Sequence, residues 1–307
     1  MRKMEIDNAH LMERVTIEKA LENFLKNRTI KNLSEDSIKF YQEKCSYFIR
    51  NIKATYIDQV NKITIENFKY AEKMRNSKTT TINAKLRGIR AFLYFCMEEN
   101  YIPTYKISLL KEDVIEKEPY SNDELSILLD TPKTNKWTAW RNWAIENYML
   151  ATGNRIGTVR AIKIKDLDFN NDQIKLASTK NRKQQIIPMS SALKNVLLKY
   201  LSTWEHTEND FLFPQYEGRQ IARRTLQQAI SEYNRNKGIS KTSGHLFRHT
   251  FAKKYILAGG NMTRLQKLLG HSTLTMTMHY INLYGSDLAE NYDKLNPLNN
   301  IVNSNND

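Results

Sequence analysis

Along residues 16–28, 34–53, 64–76 and 79–99, apolar side chains recur every three or four positions, the spacing of a helix with one buried face. The second stretch uses Ile38, Tyr41, Cys45, Phe48 and Ile52, and the fourth uses Ile82, Leu86, Ile89, Leu93 and Cys96. Thr16, Ser34 and Thr64 stand where N-caps belong, the first two with an acidic residue close behind. Four such helices predict a small all-α domain over residues 14–103. The period stops near Pro103, and "KEDVIEKEP" at 111–119 is charged, aperiodic and closed by proline, so 104–119 reads as a linker.

A second domain is expected over 120–296. It opens with a helix capped at Ser121 and a longer one, "WTAWRNWAIENYMLATG", ending at Gly153. Between 162 and 189 the period falls to two: "IKIKDLDF", "QIKLAS" and "QQIIPM" predict a three-stranded sheet with turns at Asn170, Asn171, Asp172 and Asn181. Helical patterns return at 190–204, 222–237, 246–258, 262–269 and about 273–283, while 297–307 reads as a disordered tail. The fold class is mainly α with a small antiparallel sheet.

Lys and Arg number 47 against 33 Asp and Glu, a net charge of +14. Divided at Pro119, the two parts carry +5 and +9. A Lys-rich genome bias and a phosphate-binding surface both account for this charge, and nucleic acid is the leading partner class. Cys45 and Cys96 lie on apolar stripes without metal or CxxC spacing and read as reduced core thiols. No signal peptide and no apolar run of membrane-spanning length is present, so a cytoplasmic location is expected.

Four of the six histidines fall between 245 and 279. "GHLFRHTFA" puts His245 and Arg248 three apart at a helix start, where both can face one anion; a capping His and a surface Arg explain a lone pair better, and the further motifs shift the balance. "ATGNRIGTV" sets Arg155 just past a glycine-broken helix end. "STKNRKQQIIPM" puts Lys180 in the turn between two strands, flanked by Arg182 and Lys183. His271 follows Gly270, and Tyr280 comes nine residues later. Cleaving a phosphodiester without metal requires cations for the non-bridging oxygens, a nucleophile, and an acid for the departing oxygen. Arg, Arg, Tyr and Lys supply those roles, and His and Arg around a tyrosine assist its loss of a proton from an ordinary pKa of about 10. The nearest carboxylate cluster, Asp166 and Asp168 in "KDLDFNND", reads as turn chemistry.

With "TGNRIGT", "TKNRKQQIIPM", "GHLFRHTFA" and "LGHSTLTMTMHYINL" in order, the chain from about residue 14 resembles the tyrosine recombinase, or phage-type integrase, family in its simple two-domain form. The resemblance implies a helical, SAM-like core-binding domain and an α+β catalytic domain that clamp DNA from opposite sides. It implies that Arg155 and Arg248 bind the phosphate and that Lys180 protonates the leaving 5′ oxygen. His245 and His271 would assist the transition state, with His249 in support. Tyr280 would be the nucleophile that forms a 3′-phosphotyrosyl bond, so that neither metal nor ATP is needed. Helical periodicity does not separate Tyr280 from Tyr284; the resemblance selects Tyr280. Two departures stand out: Thr158 occupies a usually acidic position, and Asn154 a usually apolar one.

The implied partner is double-stranded DNA with paired sites, on which a solution monomer assembles into a homo-tetramer, with a directionality (excisionase) factor as accessory. The implied location is the nucleoid of a prokaryote. No separate arm-binding domain is expected ahead of residue 16. Integration and excision of a mobile element is the expected role. Xer-type dimer resolution or DNA inversion is the alternative within the family, and a catalytically silent DNA-binding protein is the alternative outside it. Arg223 and Arg224, in the basic helix of 218–238, are further candidates for DNA contacts.

Overall fold

The computed structural model describes residues 14–112, 118–176 and 185–278. The chain divides into two compact units, Met1–Ile115 and Glu116–Asp307.

In the first unit, α1 (Ile17–Ile30), α2 (Glu35–Arg50), α3 (Lys62–Met74) and α4 (Thr79–Glu98) surround an aromatic core. The Phe24 ring lies 5.3 Å from Tyr41 and 5.6 Å from both Phe92 and Phe95. Ile82, Leu86, Ile89, Leu93 and Cys96 are all fully buried, as the period of α4 predicts. Helices α2 and α4 approach closely at Gly88, where an added Cβ would stand 2.8 Å from the Lys44 Cβ. Thr16 and Ser34 cap α1 and α2. Thr64 is not a cap. Asn61 begins α3, and Thr64, three residues on, returns the hydrogen bond as the other half of a capping box.

A buried carboxylate locks this unit. Glu72 of α3 accepts from Tyr47 Oη at 2.7 Å, Lys85 Nζ at 2.6 Å, Arg75 at 3.0 Å and Ser77 Oγ at 3.0 Å. Burial alone pushes this carboxyl up, but the bonds from Lys85, Tyr47 and Ser77 outweigh it and hold its pKa at about 2. The stretch after Pro103 is also tied to this unit. Ile107 is buried in its core, and the Asn83 amide exchanges hydrogen bonds with the backbone of Leu110. The first half of the expected linker is therefore packed chain.

The second unit contains α5 (Asn122–Leu129), α6 (Trp137–Thr152), the single turn α7 (Ile156–Val159), a sheet, then α8 (Ser191–Leu201), α9 (Arg223–Asn236), α10 (Gly244–Leu257), α11 (Met262–Leu269) and α12 (Leu274–Met278). Antiparallel strands β1 (Leu167–Asp168), β2 (Gln173–Leu176) and β3 (Gln185–Pro188) lie in that order, with Ile174 opposite Ile187 and Leu176 opposite Gln185. The first strand is much shorter than its alternating sequence suggests. Its first half folds as a 3-10 turn, Ile164–Asp166, in which the Asp166 carboxylate accepts from Lys163 N and Ile164 N turns to Asp210 O. Asp168 likewise accepts from Asn171 N in the next turn.

Helix α6 is buried over most of its surface, with Trp143, Ile145, Tyr148 and Met149 in the core beside Phe213 and Phe247. Tyr120 fixes α10 in place: its N–H donates to Thr250 Oγ1 at 3.0 Å, and its ring lies 4.6 Å from Phe247. Both cysteines are buried and free.

Candidate active site

Three helix ends meet where α6 stops. Gly153 closes α6 with φ of 61°, and an added Cβ would lie 2.5 Å from Phe251 and 2.8 Å from Leu269. Both the backbone angle and the crowding require glycine there. The chain then turns, so that Arg155 stands half-buried at the start of α7, its carbonyl accepting from Thr158 N and Val159 N. Asn154, polar where an apolar residue is expected, is buried and donates to the Tyr148 hydroxyl at 2.9 Å. This phenol, deep in the core, supplies the partner that makes a buried amide tolerable. Thr158 is half-buried one turn into α7, where its backbone N–H joins that turn.

Arg248 comes from the second turn of α10 and is 1 % exposed. Its Nη1 donates to Gly153 O at 2.8 Å and its Nη2 to Leu269 O at 2.8 Å. Arg155 Nη1 reaches the same Leu269 carbonyl at a long 3.5 Å. Leu269 ends α11, where carbonyls lack helical partners and the dipole is negative, so the helix end attracts both cations. His271 follows Gly270, the left-handed C-cap of α11. Its Nε2 lies 2.6 Å from Arg248 Nη2, and its Nδ1 lies 2.8 Å from Oγ1 of the fully buried Thr277 in α12.

These bonds fix the state of the ring. Guanidinium nitrogens only donate, so Nε2 accepts, and the proton sits on Nδ1, which donates to Thr277. Burial, then the charges of Arg248 and Arg155, lower the His271 pKa from 6.5 to about 4, leaving the imidazole neutral at pH 7.

Of the residues singled out from sequence, Arg155, Arg248 and His271 thus come together at one helix end. His245 is exposed in the first turn of α10, and His249 is half-buried in the next. Arg223 and Arg224 are exposed in the first turn of α9. Lys180, Arg182, Lys183 and Tyr280 lie outside the described residues, as does the tail. Among the described residues no group of His, Cys, Asp and Glu side chains could hold a metal ion, and no helix is long and apolar enough to cross a membrane. Sequence patterns passed over Thr277 and Gln185. Gln185 Nε2, from β3, donates to the carbonyls of Lys267 at 2.5 Å and Leu268 at 3.0 Å. The one trace of this in the sequence is the glycine before His271, whose Cβ would meet Gln185 Oε1 at 3.0 Å.

Comparison with known proteins identifies the family. The Phage integrase family model matches residues 120–286, more than half of the chain. The tyrosine recombinase XerC of Thermodesulfovibrio yellowstonii is 27 % identical over 289 residues, which cover 90 % of this chain and 95 % of that protein. In fold, the chain is similar to the Tn1549 transposon integrase in complex with transposon right end DNA, with a TM-score of 0.72, 19 % identity, and coverage of 92 % of this chain and 99 % of that one. It is also similar to a lambda integrase tetramer bound to a Holliday junction, with a TM-score of 0.71, 15 % identity, and coverage of 88 % and 78 %. The chain belongs to the phage integrase family and is a tyrosine recombinase, a DNA strand-exchange enzyme.

Proposed function

We propose that this recombinase integrates and excises a mobile genetic element, cutting each strand through a 3′-phosphotyrosyl intermediate. The reading rests above all on the convergence of Arg155, Arg248 and His271 on the end of α11. Two guanidiniums that share the Leu269 carbonyl, one of them in contact with a neutral imidazole, repel further cations and attract an anion, and the scissile phosphate is the anion the family chemistry provides. Arg155 and Arg248 take its non-bridging oxygens, His271 assists by holding the Arg248 guanidinium in place, and His245 hydrogen-bonds the transition state, with His249 behind it. The Tyr280 oxygen attacks phosphorus. As the phosphotyrosyl bond forms, the bond to the 5′ oxygen breaks, and Lys180 gives that oxygen its proton. The 5′ hydroxyl of the partner strand reverses the step, so the bond energy is kept within the exchange.

In this reading Lys180, Arg182 and Lys183 track the DNA backbone, as do Arg223 and Arg224, and the chain works as a tetramer of monomers on paired sites, as lambda integrase does on its junction. Residues 14–103 form the core-binding domain and 120–296 the catalytic domain. The mobile-element role draws on the divergent "TGNRIGT" motif and on the likeness in fold to the transposon integrase. Xer-type dimer resolution is the second reading, favoured by the near full-length match to XerC.

The chemistry is tested with a DNA site nicked beside the cleavage position. Wild-type protein is expected to form a covalent adduct that survives denaturation, and Tyr280→Phe to form none; an adduct retained by that variant overturns the assignment of the nucleophile. A silent DNA-binding protein would bind the site without any adduct. The role is tested in cells carrying the gene. A circular junction of the flanking DNA that disappears on deletion supports the mobile element, whereas unresolved chromosome dimers without such a circle support the Xer reading.

A further inference from the structure

The last turn of α11 is held from two directions. Its four terminal carbonyls, from Gln266 to Leu269, have no helical donors. Gly270 N and His271 N serve Gln266 and Lys267 from the backbone, and Arg248 with Arg155 serves Leu269. Leu268 O receives Gln185 Nε2 at 3.0 Å, and the same amide nitrogen donates to Lys267 O. Gln185 is more than eighty residues away in sequence, on a strand whose Ile187 is 2 % exposed in the core. The bond therefore joins the sheet to the turn that presents His271.

We propose that Gln185 is a positioning residue for phosphate binding: by clamping the Lys267 and Leu268 carbonyls from β3, it sets the position of the Leu269 carbonyl and of His271, which together hold Arg248 toward the scissile phosphate. The phosphate in this statement rests on the recombinase reading; the clamp itself does not.

The chemistry of the position agrees. A primary amide offers two N–H groups from one nitrogen, which suits two neighbouring carbonyls. A carboxylate of the same shape would face two carbonyl oxygens with no donor. A thioether would fill the space, leave the Leu268 carbonyl without this donor and leave the Lys267 carbonyl with only its backbone donor. Gly270 suits the fit, since its φ of 62° and the 3.0 Å approach of Gln185 Oε1 both disfavour a side chain there. The displacement that matters is small. Arg248 and His271 touch at 2.6 Å, so a shift of about 1 Å in the α11 end breaks that contact, and misplacement on this scale costs on the order of 100-fold in rate.

The test compares Gln185→Met, which keeps the shape without donors, with Gln185→Arg, which restores N–H groups toward a negative helix end. The expected result for Gln185→Met is unchanged melting temperature and single-site DNA affinity, with adduct formation on a nicked site slowed roughly 10- to 100-fold. Gln185→Arg is expected to recover most of that rate. In a His271→Ala background, Gln185→Met is expected to add little, because both act through one turn. A second readout needs neither DNA nor chemistry: NMR titration of His271 in the free protein. Its pKa is expected to rise from about 4 toward 6.5 in Gln185→Met as the ring leaves Arg248. Wild-type cleavage by Gln185→Met, effects that multiply with His271→Ala, or an unmoved His271 titration each overturn the proposal. If wild-type protein forms no adduct on a verified site, the recombinase chemistry fails, and the titration still decides for or against the clamp.

Discussion

His271 carries its chemical state in its neighbours. An imidazole that accepts from one guanidinium and lies near a second resists protonation, and the Thr277 hydroxyl fixes which nitrogen holds the proton. This has a consequence for stability with a definite sign. Between pH 6.5 and about 4 the unfolded chain binds a proton at this histidine that the folded chain refuses. The contribution of His271 is therefore full above pH 6.5 and lost as the pH falls through that window. Denaturant melts at pH 7, 5.5 and 4.5 should show a decline that is smaller in His271→Asn; an identical decline in both proteins would show that the ring titrates normally. Residues of this kind divide in legibility. Arg155 and His271 announce themselves through neighbouring glycines, since each lies at a helix end that its own segment specifies, and Arg248 through its spacing from His245. Gln185, Thr277 and the Asn154–Tyr148 pair do not, because in each the meaning of one side chain depends on a partner brought in by folding.

Helices with one buried face could be read directly, and α4 is the clearest case, whereas α6 shows where the pattern fails. A helix buried over most of its surface has little polar face to set its phase, and α6 holds Arg141 and Glu146 inside, at positions that composition alone would assign to the surface. Strand β1 fails for a different reason: Asp166 competes for its backbone with a local hydrogen bond and converts the alternating stretch to a turn. Glu146 yields a prediction at this scale. Its carboxyl is fully buried, neither oxygen has a hydrogen-bond partner among the described residues, and burial, only partly offset by the charge of Lys237, raises its pKa well above the usual 4.5. The folded protein thus keeps a proton here that the unfolded chain releases above pH 4.5, and stability falls as the pH rises. Glu146→Met removes the orphaned oxygens at similar volume and should stabilise the second unit by about 1–3 kcal/mol near neutrality. The gain should be larger at pH 8 than at pH 5 in thermal melts; a variant less stable at pH 8 would mean that Glu146 has a partner in solution.

For the whole molecule, the decisive quantity is a charge of +14 spread over both parts of the chain, and the sharpest question is which cations serve DNA and which merely solvate the surface. Arg223 and Arg224 distinguish the two by sign. They occupy the first turn of α9, whose N-cap Ala222 offers no side-chain hydrogen bond, so two cations sit at the positive end of an uncapped helix. Each costs about 0.3–1 kcal/mol there in the free protein. A surface selected for stability alone would not hold them, whereas a surface that meets a phosphate turns both the guanidiniums and the free N–H groups of the helix end to use. Arg223→Ala and Arg224→Ala should therefore raise the melting temperature of the free protein while weakening DNA binding. Each phosphate that is no longer neutralised should lower the slope of log affinity against log salt by about 0.9, so the double variant should fall by up to about 2 in slope, with little dependence on DNA sequence. A double variant that is more stable yet keeps the wild-type salt slope would remove α9 from the DNA interface and leave the charge there as solvated surface.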